Sequence, residues 1–284
     1  PTPADLHANV HQVLAEHLAM GVDPDKCALF VQSDVPAISE LYTYFNMNAY
    51  IGELERSVTY KDKKATQPKN INAGLLTYPV LMAVDILAHH AEYVPVGKDQ
   101  QQHLEMTRTF ANRFNHMFHT DYFKEPQAFS NTGELVKVPG LTGQGKMSKS
   151  SGDADTIVFD EPADFIRKKI MRAKTDAGPI GANQPRSEEL QNLFDIMALV
   201  SDSSTISHFD AEHVKGTIRY GDLKKQLAED VVTFIEPVTE RINHYKKDTL
   251  ALAKAAKLGA EKANESAQKT LKEVREIIGF KRFF

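Results

Sequence analysis

The run Cys27-Ala28-Leu29-Phe30-Val31 is five apolar residues without a break, set between Asp/Pro signals before it and Ser/Asp/Pro signals after it. So short and uniform a run predicts a strand buried on both faces, because a half-exposed strand would alternate. A helical pattern precedes it. Thr2-Pro3-Ala4-Asp5 supplies an N-cap, a proline at the first helical position and a carboxylate three residues after the cap; Leu6, Val10, Val13, Leu14 and Leu18 then recur at helical spacing until Gly21. The rhythm returns with an apolar helical stretch over 78–87 and a short strand, Tyr93-Val94-Pro95-Val96, that ends at Gly97. A helix follows, with Leu104, Ala111 and Phe114 on one stripe and Met106 and Phe110 beside it. Helices alternating with short buried strands predict an α/β body with a parallel sheet covered on both faces. In such sheets ligands bind beyond the carboxyl ends of the strands, where the turn Gly97-Lys98-Asp99-Gln100 lies.

After about residue 155 the strand signal fades. Amphipathic helices are expected over 164–173, 187–200 and 223–245, a loop over 179–185, and a long Ala/Lys/Glu helical region over 251–278 with an interruption at Gly259. The expected division is therefore an α/β domain over 1–152 and a helical domain over 153–284, its last helix packing back on the first. No stretch approaches the ~20 apolar residues of a membrane span. The single Cys27 excludes a disulfide framework within the chain and fits a reducing, cytoplasmic setting. Net charge is −4, but residues 241–284 carry +6 and leave −10 for the rest. A basic C-terminal arm on an acidic body can follow a phosphate backbone; a solvated Lys-rich helix is the plainer alternative. The pairs His7/His11 and His116/His119 lack the acidic or Cys neighbours of a metal site, so no protein-built metal centre is expected.

The sharpest chemical signal is Gly143-Gln144-Gly145-Lys146-Met147-Ser148-Lys149-Ser150-Ser151-Gly152. Two lysines three apart in a flexible, hydroxyl-bearing loop can close over a polyphosphate, and charge stabilisation is most of what phosphoryl or adenylyl transfer asks of a protein. Composition alone leaves open an ordinary solvated linker. The order of the letters narrows this, since Lys-Met-Ser-Lys-Ser resembles the second signature of class I aminoacyl-tRNA synthetases.

Other segments agree. The run from Asn72 to Leu87, the run from Val94 to Glu105 with Arg113-Phe114-Asn115, Ile51-Gly52-Glu53-Leu54-Glu55-Arg56 and Gly259-Ala260-Glu261-Lys262-Ala263 resemble the tryptophanyl branch of that class, over essentially the whole chain. The resemblance implies a Rossmann-like catalytic domain and a helical region that meets the tRNA near its anticodon. It further implies ATP as substrate with Mg²⁺, L-tryptophan and tRNA(Trp) as partners, a homodimer, and neither DNA nor membrane binding. Tyr78, Met82 and Asp85 stand at i, i+4 and i+7, one face of a helix. A methionine suits an indole ring and a carboxylate can accept its N–H. By resemblance Asp85 does this, while Tyr78 and Gln100 hold the amino and carboxylate ends. Gly97, Lys98 and Asp99 match the turn that approaches the nucleotide, with Lys98 where the family often has Glu; Asp99 suits ribose hydroxyls. Val138 matches a backbone contact to adenine. Lys146, Met147, Ser148, Lys149 and Ser150 match the phosphate loop, with Lys146 and Lys149 as the catalytic cations. The polar run over 57–69 is expected to be a mobile loop from which Lys61 or Lys63 reaches ATP.

The family's first signature, of the His-x-Gly-His or Gly-Asn type, has no match here, so an N-terminal strand-helix unit is expected to be missing from this sequence. Two alternatives follow: a tyrosyl enzyme, against which Met82 argues because a phenol would need a polar partner, and a non-catalytic tryptophan sensor or tRNA-binding paralogue.

Overall fold

A computed structural model describes residues 2–69, 71–97, 100–129, 137–143, 145–148, 152–179 and 181–280. In chain order the elements are α1 (Pro3–Ala19), α2 (Ala37–Asn46), α3 (Ile51–Leu54), α4 (Val58–Thr66), α5 (Ala73–Leu87), β1 (Tyr93–Pro95), α6 (Gln101–Met117), β2 (Gln127–Phe129), α7 (Ala163–Met171), α8 (Glu188–Val200), α9 (Ser203–Lys215), α10 (Tyr220–Lys247) and α11 (Thr249–Ile278). The strands pair in parallel, Tyr93 with Gln127 through Pro95 with Phe129. A parallel pair needs a crossover, and α6 with its flanking turns provides it. The expected α/β class with a parallel sheet followed by helices is what forms.

Packing divides the chain into two compact units that interleave in sequence: Pro1–Val22 with Leu135–Leu252, and Asp23–Glu134 with Ala253–Phe284. In the first, Ile166 and Ile170 of α7, Leu190, Leu193 and Met197 of α8, and Leu223 and Leu227 of α10 form the core. Helix α1 starts on the expected reciprocal cap: the Thr2 hydroxyl accepts the Asp5 N–H at 3.2 Å and Asp5 accepts the Thr2 N–H at 2.9 Å. Its buried face is Leu14, Ala15, Leu18 and Ala19, whereas Leu6 of the anticipated stripe is 57% exposed. The Arg241 guanidinium of α10 caps its end by donating to the Ala19 carbonyl at 2.7 Å.

The second unit packs α2, α5, α6 and the 253–278 part of α11 around Leu41, Phe45, Val84, Phe114, Leu271 and Val274. Here four expectations need correction. The run 27–31 forms no strand and is not buried: among the described residues nothing pairs with it, Cys27 and Ala28 are exposed, and Leu29, Phe30 and Val31 are only partly covered. Tyr93 and Phe129 are 60% and 49% exposed, so the sheet is not covered on both faces within the described residues. The polar run over 57–69 is mostly helix α4, anchored by buried Tyr60 and Ser57 with its lysines exposed. Gly259 does not interrupt α11. A Cβ there would overlap the Leu29 backbone carbonyl, so the glycine lets the helix lie directly on the 28–31 segment.

Candidate active site

The amino-acid half of the expected site lies wholly in the second unit. Asn72 starts α5 by accepting the Leu75 N–H at 3.0 Å. Val80, Ala83, Val84 and Leu87 then bury one face, which leaves Tyr78, Met82 and Asp85 half-buried on an adjoining face as their spacing requires. The end of the helix is fixed by α11: Thr270 donates to the Ala88 carbonyl at 2.8 Å, and His89 Nδ1 lies 2.6 Å from the Ser266 hydroxyl. Asp85 receives both its oxygens' contacts from one amide, Gln32 Nε2 at 2.8 Å to each. Burial pushes the Asp85 carboxyl above the ordinary carboxylate range, and the Gln32 hydrogen bond works in the opposite direction. Tyr78 Oη lies 2.6 Å from His103 Nε2, and His103 Nδ1 lies 2.9 Å from Gln100 Oε1 at the start of α6. Burial pushes the Tyr78 hydroxyl up as well. Three of the four predicted residues are thus drawn into hydrogen-bonded groups, and Met82 stands between them on α5.

Gly97 is exposed and its carbonyl accepts the Gln100 N–H at 3.0 Å, which closes the turn. Lys98 and Asp99 lie outside the described residues, as do Lys149 and Ser150. Lys61 and Lys63 sit exposed on α4.

The phosphate-loop half lies in the first unit. Pro139 and Lys146 form an antiparallel bridge, Met147 donates to the Val138 carbonyl at 2.8 Å, and Gly143 and Gly145 take φ of 82° and 67° that favour glycine. The turn is fixed from beneath by Asp155, which is fully buried. Its Oδ1 accepts the Thr142 N–H at 2.8 Å and the Thr142 hydroxyl at 2.6 Å. A Cβ on Gly140 would overlap that carboxyl. The Thr156 hydroxyl donates to the Ser148 carbonyl at 2.7 Å. Lys169 then ties down the segment that follows, donating to Asp153 at 2.8 Å, to the Thr156 carbonyl at 3.0 Å and to Glu161. Held this way, the loop leaves Lys146 exposed while Val138, Met147 and Ser148 border an apolar cavity of about 570 Å³ that Ile157, Phe159 and Phe234 also line. Among the described residues no cluster of three His, Cys, Asp or Glu side chains could hold a metal.

Gln32, His103 and Asp155 escaped the sequence reading. His103 carried a signal: it falls on the buried stripe of α6 with Leu104, Thr107 and Ala111, and a polar residue there needs partners.

The family described as tRNA synthetases class I (W and Y) matches residues 1–236. A tryptophan–tRNA ligase of Porphyromonas gingivalis is 52% identical over 99% of this chain and 85% of its own length. One from Listeria monocytogenes is 41% identical over 98% of this chain and 82% of its own length. Among solved structures, tryptophanyl-tRNA synthetase from Campylobacter jejuni, complexed with ADP and tryptophan, superposes with a TM-score of 0.87 at 34% identity, over 98% of this chain and 85% of that one.

Proposed function

The chain belongs to the class I tRNA synthetases of the W and Y family, and on that premise we propose that it activates L-tryptophan with ATP and passes the acyl group to tRNA(Trp). The observation that carries the choice of amino acid is Asp85, a half-buried carboxylate on an otherwise apolar helix, oriented by Gln32 and one helical turn from Met82. A buried carboxylate is costly without a partner, and an indole N–H is a donor that a phenyl ring does not offer. It also agrees with the tryptophan specificity named for the relatives of the family.

In the reaction the tryptophan carboxylate attacks the α-phosphorus of ATP, the bond to the bridging oxygen breaks and pyrophosphate leaves. The 3′-terminal ribose hydroxyl of the tRNA then attacks the acyl carbonyl and AMP departs. The substrate carboxylate is itself the nucleophile, so the chain contributes position and charge. Asp85 receives the indole N–H, Met82 packs beside the ring, Tyr78 accepts from the ammonium and Gln100 donates to the carboxylate. Gly97, Lys98 and Asp99 approach the nucleotide's ribose. Val138 and Met147 offer the purine an apolar wall at the mouth of their cavity. Lys146 and Lys149, with the Ser148 and Ser150 hydroxyls, stabilise charge on the phosphates. Mg²⁺ is taken to enter with the ATP phosphates as part of the substrate. The basic balance of residues 241–284 supports contact with tRNA within the helical region 153–284. The active form is assigned as a cytoplasmic homodimer, which sedimentation checks.

Tryptophan-dependent exchange between pyrophosphate and ATP, measured without tRNA on the full native protein, tests the reading. Exchange with tryptophan and none with tyrosine or phenylalanine is expected. Equal exchange with tyrosine would overturn the specificity, and tryptophan binding without exchange would point to the sensor alternative.

A further inference from the structure

Two segments far apart in sequence must meet for Asp85 to be oriented: α5, which carries the carboxylate, and the 24–34 segment, which carries Gln32. The second contains no strand or α-helix; its one regular piece is a short 3-10 turn, Gln32–Asp34. Gln32 is itself exposed, so the direction of its amide is only as fixed as the backbone beneath it. Backbone carbonyls in such a stretch need partners from elsewhere, and α11 supplies them. The Lys262 ammonium donates to the carbonyls of Pro24 at 2.7 Å, Asp25 at 3.1 Å and Cys27 at 3.3 Å, one for each of its protons. Asn264 divides its two amide protons between the Asp34 carbonyl at 2.7 Å and the Ala260 carbonyl of its own helix at 2.9 Å. These ties flank the close approach of Gly259 to the Leu29 backbone. The same helix holds α5 a turn or two further along, where Ser266 meets His89 and Thr270 donates to the Ala88 carbonyl. Buried Ala263 and Ala267 seat this stretch of α11 in the core of the second unit. The amide and the carboxylate are thus mounted on one rigid helix, from two sides.

We infer that Lys262 and Asn264 are positioning residues for tryptophan: from α11 they hold the 24–34 backbone where the Gln32 amide orients Asp85, and they act on tryptophan binding through Gln32. The inference rests on the assignment of Asp85 to the tryptophan site and deepens it, because part of the specificity then resides in the C-terminal helix.

A double-mutant cycle on the full native protein separates this role from plain packing. Calorimetric titration gives tryptophan affinity for Gln32→Ala, Lys262→Met and Asn264→Ala, for each α11 change combined with Gln32→Ala, and for Asp85→Asn as a control on the pocket. Gln32→Ala is expected to weaken tryptophan about tenfold, Lys262→Met about three- to tenfold and Asn264→Ala about threefold, and neither α11 change to add more than about 1.5-fold once Gln32 is gone. Adenylate formation at saturating tryptophan is expected to stay within about twofold in the α11 variants, since the loss falls on binding. Equal losses with and without Gln32, or normal binding by Gln32→Ala or by the α11 variants, would overturn the inference and leave the tryptophan reading in place. Unchanged affinity in Asp85→Asn would instead remove Asp85 from the pocket, and the inference with it. Asn264→Ala, which removes a single tie to the segment, keeps the test in hand if Lys262→Met fails to fold. Hydrogen exchange by the 24–34 amides gives a readout besides binding: it is expected to quicken in both α11 variants, and unchanged protection would mean that α11 does not hold the segment.

Discussion

The loop proposed to hold the phosphates and the residues proposed to form the amino-acid pocket pose different physical problems, and each region has a glycine that leaves no room for a Cβ. In the loop, Gly140 lies against the carboxyl of Asp155, a side chain that anchors the turn through Thr142. In the second unit, Gly259 lies against the Leu29 backbone three residues before Gln32, the side chain that orients Asp85. The loop is held by backbone bonds and one buried acid so that Lys146 stays exposed; the pocket is held by side-chain pairs between helices so that its polar groups stay still. Cations that meet developing charge need reach, whereas groups that choose between amino acids need fixed direction.

The comparison breaks first at Lys146. If the loop serves the transition state alone, Lys146→Ala lowers the rate of adenylate formation ~10²-fold or more and leaves tryptophan affinity unchanged. Rapid-quench assays give the rate. The chain contains no tryptophan of its own, so the fluorescence of the bound amino acid reports affinity directly. An equal loss in both would make the loop a ground-state binding element and erase the distinction.

The two glycines sharpen it. Gly259→Ala sets a methyl group against backbone that cannot step aside without moving α11, and a loss of about 2–3 kcal/mol in urea unfolding is expected, with weaker tryptophan binding as the 28–34 segment shifts. Gly140→Ala meets a side chain instead, which can rotate at the expense of its hydrogen bonds to Thr142. It is expected to cost about 1–2 kcal/mol, to slow activation and to leave tryptophan affinity intact. A larger loss for Gly140→Ala than for Gly259→Ala would reverse the ranking of the two contacts.

What the sequence disclosed divides along the same line. Features set by neighbours in the chain were legible: the reciprocal cap of α1, the stripes of α6 and α8, and the common face of Tyr78, Met82 and Asp85. Features set by distant partners were not. Gln32 is 53 residues from Asp85, and His103 is 25 from Tyr78. Cys27 to Val31 has the composition of a buried strand, but it meets α11 in place of a ladder. Gly259 looks like a helix breaker because glycine disfavours helix locally. Its reason is a contact with residue 29 that no local pattern encodes. The 57–69 run looked like a loop because its lysines are polar, although α4 needs only Tyr60 and Ser57 on its buried side.

Asp85 probes how far the pocket depends on fixed charge. Asp85→Asn replaces an acceptor oxygen by a donor on one side and is expected to weaken tryptophan about tenfold while the fold persists. Burial raises the Asp85 carboxyl above its ordinary range. Between the ordinary and the raised value the folded protein holds the proton that the unfolded chain has lost, so stability falls as pH rises through that window. Tryptophan affinity runs the other way, because the ionised carboxylate is the better acceptor, and should increase with pH over the same window. Titrations of wild type and Asp85→Asn settle the cause: the variant should show a flat profile, and an unchanged slope would assign the pH dependence to another group.

The smallest effect belongs to an ion pair outside both regions, and it checks that the larger ones are local. Arg275 of α11 donates through Nε to Glu40 at 2.6 Å, and about a third of each side chain is exposed. The Arg275 hydrogen bond holds the Glu40 carboxyl below its usual range, against desolvation. A depressed carboxyl stabilises the fold above its unfolded value and loses that contribution as pH falls through its folded value. Solvent screening at this exposure limits the pair to less than about 1 kcal/mol. Arg275→Ala is therefore expected to lower urea stability by under ~1 kcal/mol at neutral pH, to leave activation and tryptophan affinity unchanged, and to converge on wild type below the Glu40 titration. A loss of tryptophan affinity in this variant would mean that α11 transmits strain along its length to α5, and the pocket's rigidity would then belong to the whole helical unit rather than to the contacts of Gln32, His103 and Thr270.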